Sequence, residues 1–160
     1  MNYPYRYLLA FGSNLGNRHQ NIRWALDCFR EDAILKNRIN ILRVSPFQET
    51  APLRNEFLDS QEVITPLYIN LIADIATDFR PIELYENFRG LENFLGHPRD
   101  FKWSNRQLDI DLLLWATNNH KDFAQCEKLV YNDECLQFYI PHKELKNRRF
   151  LQDLMQLIKE

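Results

Sequence analysis

The segment LYINLIADIA, Leu67 to Ala76, governs how the rest of the chain is read. Leu67, Ile69, Leu71, Ala73 and Ile75 alternate with Tyr68, Asn70, Ile72 and Asp74, which is the period of a strand with two distinct faces. Working toward the amino terminus, Arg38 to Phe47 carries Ile39, Ile41, Leu42 and Val44 and reads as a strand ending near Pro46. Before it, Ile22, Ala25, Leu26 and Phe29 recur at helical spacing, and Asn17 with Gln20 gives a capping-box-like start. Tyr5 to Phe11 reads as a first strand, broken by the run Gly12 to Gly16.

Toward the carboxyl terminus, Pro81 suits the first turn of a helix and Glu83 and Glu86 its positive end. Leu84, Phe88, Leu91 and Leu95 form its apolar row, and Gly96 stands where a C′ glycine would stop it. Then come the strand LDIDLLLW (Leu108 to Trp115), a polar stretch from Thr117 to Gln137, and a helix expected to face Leu151, Leu154, Leu157 and Ile158 inward. The order β-α-β-β-α-β-α predicts an α+β sandwich of the ferredoxin-like kind, an antiparallel sheet with its helices on one face.

The 160 residues suffice for one domain with a real core, and no Pro-, Gly- or Ser-rich linker divides them, so a single domain over 1–160 is expected. The balance of 20 basic and 22 acidic residues, net −2, argues against general binding to a nucleic-acid backbone, so any anion site must be local. No apolar run approaches the ~18 residues of a membrane span, and the amino terminus holds no secretory signal, so a cytoplasmic protein is expected. Three cysteines, Cys28, Cys126 and Cys135, lack a framework spacing, which makes reduced thiols the default.

The chemistry concentrates in LDIDLLLW. On an extended strand Asp109 and Asp111 share a face roughly 6.6 Å apart, with Leu108, Ile110, Leu112 and Leu114 on the other. Their repulsion is on the order of 2.5 kcal/mol at an effective dielectric near 20, and about 0.6 kcal/mol in water. A cation relieves it. Mg²⁺ suits one or two carboxylates plus phosphate oxygens, and Arg99, Lys102 and Arg106 just upstream would hold the remaining phosphate charge. The bland alternative is the solvated end of a strand with Arg106 as a surface ion-pair partner. There is no Walker A sequence, and GSNLG is not a spaced nucleotide-binding glycine run; alone it reads as a strand-to-helix connection.

Five blocks, FGSNLGNR (11–18), SPFQETAPL (45–53), PLYIN (66–70), GHPRDFKWSNRQLDIDLLL (96–114) and IPHKELKNRRF (140–150), together resemble the 6-hydroxymethyl-7,8-dihydropterin pyrophosphokinases of folate biosynthesis. The likeness spans nearly the whole chain. It implies a ferredoxin-like α+β fold and transfer of pyrophosphate from ATP to a pterin hydroxymethyl group, leaving AMP. Position by position, it implies that Asp109 and Asp111 bind two Mg²⁺ ions, that Arg99, Lys102 and Arg106 embrace the triphosphate, and that Trp103 belongs to the same segment. It further implies that His142 and Arg148 contact phosphate or nucleotide and that Leu112 lies against adenine. Tyr68 and Phe150 would stack on the pterin, with Asn70 and the backbone around Thr50 and Leu53 as its hydrogen-bonding rim. Without the resemblance, Tyr68 and Phe150 read as core, Arg148 as a solvated charge and His142 as a turn residue.

Several residues depart from the family's usual pattern: His97 and Lys102 stand for arginines, Ser104-Asn105 for Gly-Pro, and Lys143 for an aromatic. Two polar segments, Arg54 to Thr65 and His97 to Asn105, are candidate lids. His120, Cys126, Cys135 and His142 invite a zinc reading, but no close Cys-x-x-Cys or His-x₃-His pair supports it, so an added loop or edge segment is expected over 117–139. The rival readings are a non-catalytic pterin- or nucleotide-binding homologue and a single-stranded nucleic-acid module; the missing RNP1-type sequence and acidic balance oppose the latter. A monomer acting on ATP and the hydroxymethyl dihydropterin, without nucleic-acid or membrane partners, is the expectation.

Overall fold

The computed structural model describes residues 2–51, 66–95, 105–117 and 123–159. In chain order the elements are β1 (Tyr5–Ser13), α1 (Arg18–Glu31), β2 (Ile39–Val44), β3 (Gln48–Thr50), β4 (Tyr68–Thr77), α2 (Pro81–Phe94) and β5 (Asp109–Thr117). A short α3 (Phe123–Cys126), the hairpin β6 (Tyr131–Asp133) and β7 (Phe138–Ile140), and α4 (Arg149–Lys159) complete them. The main sheet runs β2-β4-β1-β5, antiparallel throughout, with β3 continuing the β2 edge along β4. This is the α+β, ferredoxin-like arrangement expected. The strand expected over 38–47, ending near Pro46, is β2; past its end Ser45 bridges to β3, a strand the sequence reading did not separate, donating its N–H to the Ile72 carbonyl and accepting the Ile72 N–H on Oγ.

Helix α1 begins as its sequence demands, with Asn17 Oδ1 accepting the Gln20 N–H, and buries Ile22, Ala25, Leu26 and Phe29. Pro81 opens α2, and the Glu83 carboxylate accepts the Arg80 N–H ahead of it. Both helices pack on Tyr7, Leu9 and Phe11 of β1, Ile69, Leu71, Ala73 and Ile75 of β4, and Leu108, Ile110 and Leu112. Phe29 and Phe88, stacked at 5.4 Å and fully buried, contribute about 1.5–3 kcal/mol each there.

Three expectations are corrected. The helices do not share one face, because α4, with α3, covers the opposite side of the sheet over Leu8, Ile72 and Leu114. Its buried stripe is Leu151, Leu154, Met155 and Ile158, while Leu157 is exposed, lying off the i, i+3, i+4, i+7 line. Leu114, in turn, does not accompany Leu108, Ile110 and Leu112. Leu8 pairs with Leu114 but Leu9 with Leu112, so Leu113 is an extra, bulged residue that flips the parity of β5 beyond it.

On the α4 face the Asp74 carboxylate is fully buried and receives two hydrogen bonds from the Arg6 guanidinium, at 2.9 and 2.6 Å, which also lies over the Phe123 ring. Arg6→Met strands that carboxylate in the core, so urea unfolding is expected to show a loss of about 3–5 kcal/mol, with Arg6→Met/Asp74→Leu recovering most of it.

Candidate active site

The end of β1 lies between the starts of β4 and β5, so Gly12 pairs with Asn70 on one side and Asp109 on the other. Strand parity then puts Tyr68 and Asn70, Ala10 and Gly12, and Asp109 and Asp111 on one face, at the end of it that α4 leaves uncovered. They line a cavity of about 500 Å³ together with Thr50, Arg106, His142, Arg148 and Phe150. That is the size of a small-molecule site. Gly12 makes the floor low enough: a Cβ there would stand 3.4 Å from Tyr68 Cδ1 and 3.6 Å from Asn70 Oδ1.

Each acid has a basic neighbour. Arg106 Nη1 donates to Asp109 Oδ1 at 3.1 Å, and His142 Nε2 lies 3.8 Å from Asp111 Oδ1. Arg106 is no surface ion-pair partner; it is 8% exposed, and its backbone is gripped from both sides by Asn14, which donates its N–H to the Arg106 carbonyl and accepts the Arg106 N–H on Oδ1. Asn14 was not singled out in the sequence, where GSNLG reads as a connection. His142 is placed by the bulge, since its N–H donates to the Leu113 carbonyl. Its Nδ1 accepts the Glu144 N–H, which assigns the ring proton to Nε2, the nitrogen nearer Asp111.

Among the described residues no set of three or more His, Cys, Asp and Glu side chains could enclose a metal ion. Two carboxylates on one strand are nevertheless the donor set of a hard cation that completes its shell with water and phosphate oxygens, so Asp109 and Asp111 fit Mg²⁺. They do not fit structural zinc. Cys126 is buried under α4 and Cys135 exposed on the β6–β7 turn, so the zinc reading gains nothing; His120 lies outside the described residues. Instead of a plain loop, the added stretch contributes α3 and the hairpin.

On the other side of Gly12, Asn70 Nδ2 donates to Thr50 Oγ1 at 2.6 Å and to the Gln48 carbonyl at 3.1 Å. Its Oδ1 is thereby turned toward the cavity as an acceptor. Burial, then the charge of Asp109, pushes the Tyr68 phenol up to about 12 against the pull of Arg106 and Arg148, so it stays neutral. Phe150 lies in the first turn of α4, and the Arg148 guanidinium lies 6.0 Å from its ring centre with a buried Nε that has no hydrogen-bond partner among the described residues.

A second cavity of about 400 Å³ adjoins the first, and Asp111, Gln137, His142 and Lys143 line both. Leu112, Tyr85, Arg89 and Tyr139 line the second alone. The two form one groove with Asp111 at its junction. Behind it Glu92, 2% exposed, accepts the Ile110 N–H at 2.8 Å and pairs with Arg89 at 3.0 Å. Burial and the charge of Asp109 push the Glu92 carboxyl well above the ordinary range. Sequence reading passed over this pair, although a glutamate four residues after Phe88 on an apolar helix row was a signal. Leu53, Arg99, Lys102 and Trp103, the departures His97 and Ser104, and both candidate lids except Asn105 lie outside the described residues.

A protein-family comparison matches residues 8–160 to 7,8-dihydro-6-hydroxymethylpterin-pyrophosphokinase. A Bacillus subtilis protein named 2-amino-4-hydroxy-6-hydroxymethyldihydropteridine pyrophosphokinase is 29% identical over 89% of this chain and 71% of its own length. A Haemophilus influenzae protein of the same name is 29% identical, over 89% and 74%. A Chlamydia muridarum folate synthesis bifunctional protein is 33% identical over 92% of this chain, which spans 29% of that longer protein. With the match covering all but the first seven residues, the chain belongs to the 7,8-dihydro-6-hydroxymethylpterin-pyrophosphokinase family.

Proposed function

We propose that the chain transfers the terminal pyrophosphate of ATP to the hydroxymethyl oxygen of 6-hydroxymethyl-7,8-dihydropterin, with two Mg²⁺ ions at Asp109 and Asp111, and releases AMP. Family membership supports the reaction class, a pterin pyrophosphokinase of folate synthesis. The observation that carries the finer reading is that an aromatic-lined cavity and the paired acids share one groove.

Tyr68 and Phe150 would hold the flat bicycle between them, and Asn70 Oδ1 would accept from its ring N–H edge beside Thr50 and Leu53. The nucleotide would extend along the second cavity over Leu112, its phosphates meeting His142 and Arg148. Arg106, with Arg99, Lys102 and Trp103 of the preceding segment, would face the transferring group. Bound Mg²⁺ would supply charge neutralisation of the phosphate oxygens. The residues themselves align the hydroxymethyl oxygen with the β-phosphorus and hold guanidinium groups where negative charge grows. In the same reading the chain is one domain over 1–160, monomeric and cytoplasmic, with no nucleic-acid partner. Among the described residues no helix is long and apolar enough to cross a membrane.

Incubating the protein with ATP should give AMP only when both Mg²⁺ and the hydroxymethyl pterin are present. Pterin binding without AMP would favour a non-catalytic homologue instead. Asp109→Ala or Asp111→Ala is expected to lower kcat by about 10²–10³-fold, the scale of removing one transition-state stabiliser, while circular dichroism stays native. In equilibrium titrations Phe150→Ala should weaken the pterin roughly 2–10-fold from lost stacking alone and leave ATP affinity unaltered; an unchanged pterin affinity would remove Phe150 from the site.

A further inference from the structure

Among the described residues strand β5 is an edge of the main sheet, so on its outer side the backbone of Ile110 meets no described strand. Two side chains of α2 take the place of one. Glu92 Oε1 accepts the Ile110 N–H at 2.8 Å, Arg89 Nη2 donates to the Ile110 carbonyl, and Arg89 Nη1 lies 3.0 Å from Glu92 Oε2. Arg89 Nη1 and Nε are buried without a hydrogen-bond partner among the described residues, so the clamp consists of the two hydrogen bonds to the Ile110 backbone and the ion pair between the side chains. Ile110 is the residue between Asp109 and Asp111, so the clamp holds the peptide unit that follows one acid and the unit that precedes the other.

The two clamp side chains are 16% and 2% exposed, and Arg89 is further held over the Tyr85 ring at 4.6 Å. A hydrophobic edge cover would have protected β5 without charge. The Arg89–Glu92 pair does more, because it offers an acceptor to the Ile110 N–H and a donor to the Ile110 carbonyl and so fixes both backbone groups in direction.

We propose that Arg89 and Glu92 are positioning residues that fix the spacing of Asp109 and Asp111 and so set the affinity of this pair for a divalent cation. The inference rests on the metal reading given above. It assigns neither residue a contact with substrate.

The test measures Mn²⁺ binding by electron paramagnetic resonance on the full chain loaded with a non-hydrolysable ATP analogue, for the unsubstituted protein, Arg89→Met, Arg89→Lys, Glu92→Gln and Asp109→Asn. Arg89→Met is expected to weaken Mn²⁺ by about 10–100-fold, the range for residues that orient metal ligands from behind. Arg89→Lys, which keeps the charge and a donor, should restore part of the loss, and Glu92→Gln, which keeps the acceptor for the Ile110 N–H, should fall between. In Glu92→Gln, whose side chain lines neither cavity, affinity for the analogue in EDTA should not change. Unchanged Mn²⁺ affinity in Arg89→Met overturns the proposal; so does loss of analogue affinity in EDTA in Glu92→Gln, which would make the clamp part of the nucleotide site, and so does failure of all three clamp variants to fold, which would make the pair structural. Indifference of Mn²⁺ binding to Asp109→Asn overturns the metal reading itself, and the inference with it.

Discussion

The pairing of Gly12 with Asn70 and with Asp109 decides which side chains meet, because side chains on neighbouring antiparallel strands share a face only in one register. A slip of β4 by one residue would turn Ile69, Leu71, Ala73 and Ile75 away from α1 and α2 and drive Tyr68, Asn70 and Asp74 into that core. Each large apolar side chain so exposed would forfeit about 1.5–3 kcal/mol, and the Asp74 carboxylate would lose Arg6. The register at the site is therefore held by packing far from it. The groove inherits its geometry from a core that has no part in the chemistry.

What the chain discloses without coordinates follows the same division. The alternation of Ile69 to Ile75 and the helical spacing of Ile22, Ala25, Leu26 and Phe29 are local periods, and both are realised, whereas Leu67 lies exposed ahead of β4. Leu114 was not legible because the Leu113 bulge is set by pairing with Leu8 and Leu9, a contact between residues a hundred positions apart. The side of the sheet taken by α4 was likewise hidden, since an amphipathic stripe says that a face is buried but not against what. Leu157 sits one residue off the buried stripe, so its helical angle turns it to solvent, and Met155 holds the inward place.

At the site, the residues that touch the cavity were legible and those that hold them were not. Asp109 and Asp111 announce themselves by spacing, and Tyr68 and Asn70 by sharing a strand face. Asn14 acts on Arg106 through the backbone of a residue 92 positions away, and backbone contacts leave no mark on residue type. Glu92 did leave a mark, a charge on the apolar row of α2. The roles implied for Arg99, Lys102, Trp103 and Leu53 stay with the sequence, as those positions lie outside the described residues.

In the function proposed above, the charges along the first cavity would let a protein of net charge −2 take a metal-bound polyphosphate. Among its described lining residues, Arg106, Lys143 and Arg148 face the carboxylates of Asp109, Asp111 and Glu144, so the cavity is formally neutral. Charges elsewhere on the surface are screened beyond about 8 Å at physiological salt, so this local balance is what an incoming anion meets. A bare phosphate chain would approach two acids at close range and gain little. A divalent cation reverses that sign at the junction of the two cavities, leaving Arg106 and Arg148 free to act on phosphate. In that proposed reading the acid pair would be a conditional anion site, one that binds polyphosphate more tightly when the metal comes with it.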